Sequence, residues 1–150
     1  MSPSRPLVLL VFALATAGAA SGADDMRLTR AVVPTFESVH LTLDAGKADY
    51  SGSVRVDLQF NEPAASFRLH AEEMRLGSIT LKAADGKVID VTTVAGEKGL
   101  LTIKPAQPLA RGRHTLEIEF ENEFDTRAVG LYRMEFDDDW YAFTQFEAVD

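Results

Sequence analysis

The sequence predicts an all-β fold, with antiparallel sheets packed face to face as a sandwich or as a saddle-shaped variant of one. Three observations carry this. From residue 36 onward the apolar residues recur with a period of two rather than 3.6. The alternating runs are short and are separated by Gly-, Pro- and Asp-rich turns. Beyond the N-terminal leader no segment sustains a helical apolar stripe over three turns, and only Ala71–Met74 suits a single helical turn. At 150 residues the chain is long enough for one domain with its own core. A composition 46% hydrophobic and 25% charged places it among folded globular proteins rather than disordered ones.

The first element is a leader. Residues 1–23 read as a signal peptide: Arg5 gives the positive start, Leu7 to Ala15 the apolar stretch, and Ser21-Gly22-Ala23 a small-x-small cleavage site, with cleavage after Ala20 as an alternative. The apolar stretch is short of the roughly 20 residues a membrane-spanning helix needs, which disfavours the rival reading of an uncleaved anchor. The mature chain, residues 24–150, is expected to be exported, to a periplasm or the extracellular space, with no membrane association after cleavage. Residues 24–30 are expected to form a mobile lead-in.

The strands follow in order. Val39, Leu41 and Leu43 alternate with His40 and Thr42; Val54, Val56, Leu58 and Phe60 with Arg55, Asp57 and Gln59; Phe67, Leu69 and Ala71 with Arg68 and His70. Ser51-Gly52-Ser53 reads as a turn leading into the second of these. Leu76, Ile79 and Leu81 make a further strand with a bulge expected at Gly77. Asp85-Gly86 favours positive φ and so a tight hairpin into Lys87–Val91. Gly96 and Gly99 bracket a second turn before Leu100–Ile103. Pro105, Pro108 and Arg111-Gly112 mark a loop, after which Leu116, Ile118 and Phe120 alternate with Glu117, Glu119 and Glu121. Asp137-Asp138-Asp139 separates Tyr132–Phe136 from Trp140–Phe143 as a last hairpin.

Several chemistries are excluded. A net charge of -8 removes the basic footprint that nucleic-acid binding requires. With no cysteine there is no disulfide framework, thiolate metal site or cysteine nucleophile. His40, His70 and His114 lack the i, i+4 spacing of a helical zinc pair; His40 and His70 read as polar-face strand residues and His114 as a surface residue at a strand start. Neither a G-x-S-x-G elbow nor a phosphate-binding glycine loop is present. The three consecutive aspartates lack the spaced ligands of a calcium loop and read as a solvated tip. Trp140, Tyr141 and Phe143 read as core residues, with a recognition surface as the alternative.

Gln145 and Glu147 stand two apart, which on a strand puts both on one face, opposite Thr144 and Phe146. A carboxylate beside a carboxamide suits an ammonium group, the first supplying charge and the second an additional acceptor. The same spacing also occurs on any half-exposed strand, so it admits both readings.

Three segments together resemble the N-terminal domain of the aminopeptidase N family of gluzincin metallopeptidases. They are Arg30-Ala-Val-Val-Pro-Thr-Phe-Glu-Ser-Val-His-Leu-Thr-Leu-Asp44, then Tyr50-Ser-Gly-Ser-Val-Arg-Val-Asp57, and finally Gly130-Leu-Tyr-Arg133 followed by Thr144-Gln-Phe-Glu-Ala148. The similarity covers roughly residues 28–150. Phe36 stands where a tyrosine is usual and Met134 where a serine is. The resemblance implies a saddle-like β domain packed on a thermolysin-like catalytic domain of the same protein. It implies that Gln145 helps shape the first substrate pocket and that Glu147 holds the free α-amino group of a peptide substrate. It also implies zinc held by that catalytic domain, whose H-E-x-x-H motif is absent here. The complete protein is then expected to be an exported zinc aminopeptidase, and these 150 residues alone to bind no zinc and cleave nothing. A free-standing exported β-sandwich acting as a binding or scaffold module is the alternative.

Overall fold

The structure is a computed structural model that describes residue 28 and residues 30–146. Among these residues ten strands and no helix form: β1 (Val32–Thr42), β2 (Asp49–Phe60), β3 (Phe67–His70), β4 (Arg75–Ala83), β5 (Val88–Ile89), β6 (Val91–Ala95), β7 (Leu100–Pro105), β8 (Gly112–Glu123), β9 (Gly130–Phe136) and β10 (Asp139–Gln145). A five-stranded sheet runs β1-β2-β8-β4-β5, a three-stranded sheet runs β3-β7-β6, and β9 with β10 makes a separate hairpin. Every paired strand is antiparallel. The all-β expectation holds. Ala71–Met74 forms a turn rather than helix, with Glu73 at a φ of 57°.

The two larger sheets pack face to face. Leu58 and Phe60 of β2, Leu81 of β4, and Leu116 and Ile118 of β8 meet Phe67 of β3 and Leu101 and Ile103 of β7 in one buried cluster. Each such side chain withdrawn from water contributes on the order of 1.5–3 kcal/mol. The opposite face of the five-stranded sheet is polar. There Lys82 pairs with Glu117 at 2.6 Å, Ser78 donates to Glu119 at 2.8 Å, and Arg75 reaches Glu121 at 3.5 Å and Glu123 at 3.3 Å. The glutamates of β8 are thus a solvated stripe matched by Lys82, Arg75 and the Ser78 hydroxyl on its neighbour.

Chain direction explains how one strand series fills two sheets. The Asp85-Gly86 turn closes as expected, Gly86 at φ 85° and its N–H donating to Ala83 O at 2.9 Å. The segment after it, a single strand by sequence, breaks at Asp90: β5 stays with β4 while β6 crosses to β7. A bulge between Leu76 and Ile79 bends β4 where Gly77 was expected to. Pro105, expected in a loop, ends β7 opposite Val91 and is buried. Ser51-Gly52-Ser53, expected as a turn, lies inside β2 with partners on both sides. Gly52 is needed there for space. A β-carbon would lie 2.7 Å from both His40 O and the Phe120 ring, closer than real contacts allow.

His114 is a further correction. It is buried, not surface-exposed, with its ring 4.8 Å from that of Phe60 and its Nδ1 without a hydrogen-bond partner among the described residues. Its place on the inward face follows from register, since it lies two residues before Leu116 and opposite Leu58.

Candidate functional site

The hairpin that carries Gln145 is built on a braced foundation. After β8, Phe124 donates its N–H to Ala48 O at 2.9 Å and packs its ring 5.1 Å from that of Tyr50. Asp125 then donates its N–H to Leu131 O at 3.0 Å and accepts from the N–H of Arg133 at 3.2 Å, so β9 starts against it. The Asp125 carboxylate accepts the Arg127 N–H at 2.8 Å and its guanidinium at 3.2 and 3.0 Å. This holds the Asp125 carboxyl below the ordinary carboxylate range, the Arg127 side chain contributing most.

Register assigns the two faces of the hairpin. Leu131, Arg133 and Glu135 share one with Trp140, Ala142 and Thr144. That face is turned toward the β1–β2 turn, because Arg133 Nη1 donates to Ala45 O at 3.1 Å while its guanidinium lies 4.1 Å from the centre of the Trp140 ring. Such a cation–π contact is worth roughly 0.5–1 kcal/mol at an exposed site. The other face carries Tyr132 and Met134 of β9 with Tyr141, Phe143 and Gln145 of β10. Tyr132 and Phe143 stack there, ring centres 5.5 Å apart and planes 23° from parallel. Gln145 ends the strand opposite Gly130, which sits at φ 63°. Glu147, the second expected site residue, lies outside the described residues, as do the expected signal peptide and most of the lead-in.

The aromatic residues of β10 correct an expectation. Trp140, Tyr141 and Phe143, read as core, are 38%, 46% and 44% exposed. They form a surface because no sheet packs on either side of the hairpin within the described chain. Sequence could not show this, since an exposed aromatic face and a buried one alternate alike.

A cavity lies elsewhere. A trough of about 790 Å3 opens between the two sheets, lined by residues such as Val39, Val54, Phe67, Met74 and Phe120, with none from the hairpin. It exists because the three-stranded sheet covers only part of the larger one, leaving Val39 and Leu41 of β1 exposed. Its wall is mainly apolar, with Glu37, Arg68 and His70 also on it, and among the described residues no metal-holding group of side chains lies there.

No group of three or more His, Asp or Glu side chains among the described residues is arranged to hold a metal ion. His40 lies on β1, His70 at the end of β3 and His114 in the core, so their imidazoles do not converge. Zinc therefore finds no donor set in these residues.

The family profile described as the peptidase M1 N-terminal domain matches residues 33–150. No curated protein matches the chain.

Proposed function

The chain belongs to the M1 peptidase family, as its N-terminal domain, and on that premise we propose that it supplies the anchor for the substrate's α-amino group in an exported aminopeptidase. The family is one of zinc-dependent aminopeptidases, and its N-terminal domain implies association with a catalytic domain. Export follows from the leader at residues 1–23.

The observation that carries the reading is the position of Gln145 at the end of β10, on the hairpin face turned away from the domain body. Glu147 stands two residues beyond Gln145 in sequence, the spacing shared by side chains on one face of a strand. The carboxylate then balances the charge of the peptide's ammonium group and accepts one of its three N–H donors, and the Gln145 amide oxygen accepts another. Fixing the amine fixes the position of the first peptide bond, which converts binding into orientation and restricts cleavage to the chain end. Zinc and the bond-breaking step belong to the catalytic domain.

The exposed apolar residues of the hairpin, Met134, Phe136, Tyr141 and Phe143, support a large partner surface beside the anchor, in keeping with a domain built to sit against another. They favour this over a self-sufficient module.

The test is Glu147→Gln in the complete protein, assayed with amino-acid anilides. Removing one side of a desolvated charge pair costs about 2–5 kcal/mol. kcat/KM is expected to fall by on the order of 30-fold or more, since about 1.4 kcal/mol is tenfold. An unchanged kcat/KM contradicts the anchoring role.

A further inference from the structure

We infer that the open side of the sandwich, where β1 and β3 border the apolar trough, is a seam that accepts a β-strand from the remainder of the same protein, laid beside β1 between Phe36 and Thr42. The inference rests on membership of the M1 family as its N-terminal domain, and not on the roles of Gln145 and Glu147.

Both sheets end at this seam. Among the described residues β1 is the outermost strand of the five-stranded sheet and β3 that of the three-stranded one. The trough of about 790 Å3 has Val39 on its β1 side and Phe67 and Leu69 on its β3 side. A strand at a sheet edge bonds to its single neighbour through alternate residues and turns the N–H and C=O groups of the others outward. Edges that stay open are guarded by lysines, prolines or bulges. β1 has such guards only at its start, where Pro34 stands beside the bulge that precedes Phe36. From Phe36 to Thr42 the pairing with β2 is regular, and the segment contains one carboxylate, Glu37, with no lysine or arginine.

The trough side of that segment is apolar and uncovered. Val39 and Leu41, which share the parity of Glu37, are 53% and 37% exposed. Leu41 reaches toward the trough floor, since a β-carbon on Gly52 would come 2.9 Å from Leu41 Cδ2 and 2.7 Å from the Phe120 ring. A strand laid beside β1 sends every second side chain into the trough, where apolar surface of both partners leaves water. Glu37 sets the one exception. Covering its carboxylate without a partner is costly, so the added strand carries a lysine or arginine across from it. A second copy paired through the same edge offers no such cation, because Phe36–Thr42 contains none. A strand of the same polypeptide can carry one, and tethering keeps it at high effective concentration.

The test is hydrogen exchange on the complete, monomeric protein, read by mass spectrometry over residues 36–42. With the strand added, nearly all of these amides are expected to exchange slowly. If about half of them exchange as fast as unbonded amides, the edge is open and the seam is overturned. Leu41→p-benzoylphenylalanine identifies the occupant: its photo-crosslink is expected to join a segment of the same polypeptide outside residues 1–150. A crosslink within residues 1–150, to a second copy or to another protein, or none, overturns the assignment. Val39→Lys, which puts a charge under the added strand, is expected to lower Tm by more than about 4 °C, and Ser38→Lys, on the opposite face, by less than about 1 °C. Equal, small shifts overturn the seam, and if Val39→Lys does not fold, exchange in the unaltered protein decides. Glu147→Gln is expected to leave exchange over β1 unchanged, so failure of the anchor and failure of the seam are told apart.

Discussion

His114 shows how register decides what a residue type alone cannot. A histidine near the start of a strand reads as a surface residue, yet its parity with Leu116 and Ile118 puts it in the core against Phe60. Its Nδ1 has no partner among the described residues. A buried polar atom left without a hydrogen bond costs about 1–3 kcal/mol, whereas an apolar group of similar size in its place carries no such cost. His114→Leu is therefore expected to raise Tm by about 2–4 °C for each kcal/mol recovered, measured by thermal unfolding. A lower Tm would show that the imidazole contributes more through its packing on Phe60 than it costs. The neighbouring face behaves in the ordinary way. Asp57 accepts from Thr115 at 2.9 Å and from Arg55 at 3.2 and 3.1 Å, and these bonds, that from Thr115 foremost, hold its carboxyl below the usual range.

At the scale of elements, the longer strands such as β2 and β8 were legible, because they have the period-two apolar run that a half-buried strand requires. What was not legible was the sheet each strand would join. Lys87–Val91 reads as one strand, yet β5 and β6 part at Asp90 and serve opposite sheets. Local propensity is identical on both sides of such a corner, and only packing against β4 or β7 distinguishes them. The bulge between Pro34 and Phe36 is similar. It reverses the inward parity of β1, so that Val32 and Pro34 precede it on the inner face and Glu37 and Val39 follow. The hairpin's attachment was also invisible, because Asp125 and Arg127 read as loop residues. Their ion pair fixes the turn before β9, while the Asp125 backbone bonds to Leu131 and Arg133 at its start. Since the Asp125 carboxyl titrates lower folded than unfolded, its stabilisation is present above the unfolded value near 3.9 and is lost as pH falls through the lower folded value. Asp125→Asn is expected to lower Tm at neutral pH and to flatten the fall in Tm between about pH 5 and pH 2. An unchanged acid slope would mean that this pair does not brace the fold.

For the whole molecule, the five-stranded sheet extends beyond the three-stranded one, and the hairpin joins neither sheet, touching the β1–β2 turn through Arg133 while its β10 side chains stay exposed. Sequence alternation marked Val39 and Leu41 as apolar-face residues correctly but could not say that they stay exposed, because coverage depends on what packs opposite. The candidate site was half legible in the same sense. The two-residue spacing predicts that Gln145 and Glu147 share a face; the structure puts Gln145 on the hairpin face that carries Tyr132 and Phe143, and Glu147 lies outside the described residues. The account turns on Gln145 and Glu147 jointly seating an amine. The most direct measurement is a crystal structure of the complete protein with an amino-acid amide bound. The ammonium nitrogen is expected within hydrogen-bond distance, about 2.7–3.2 Å, of both the Glu147 carboxylate and the Gln145 amide oxygen. An amide bound with its amine away from the end of β10, or side chains of Gln145 and Glu147 on opposite faces, would contradict it.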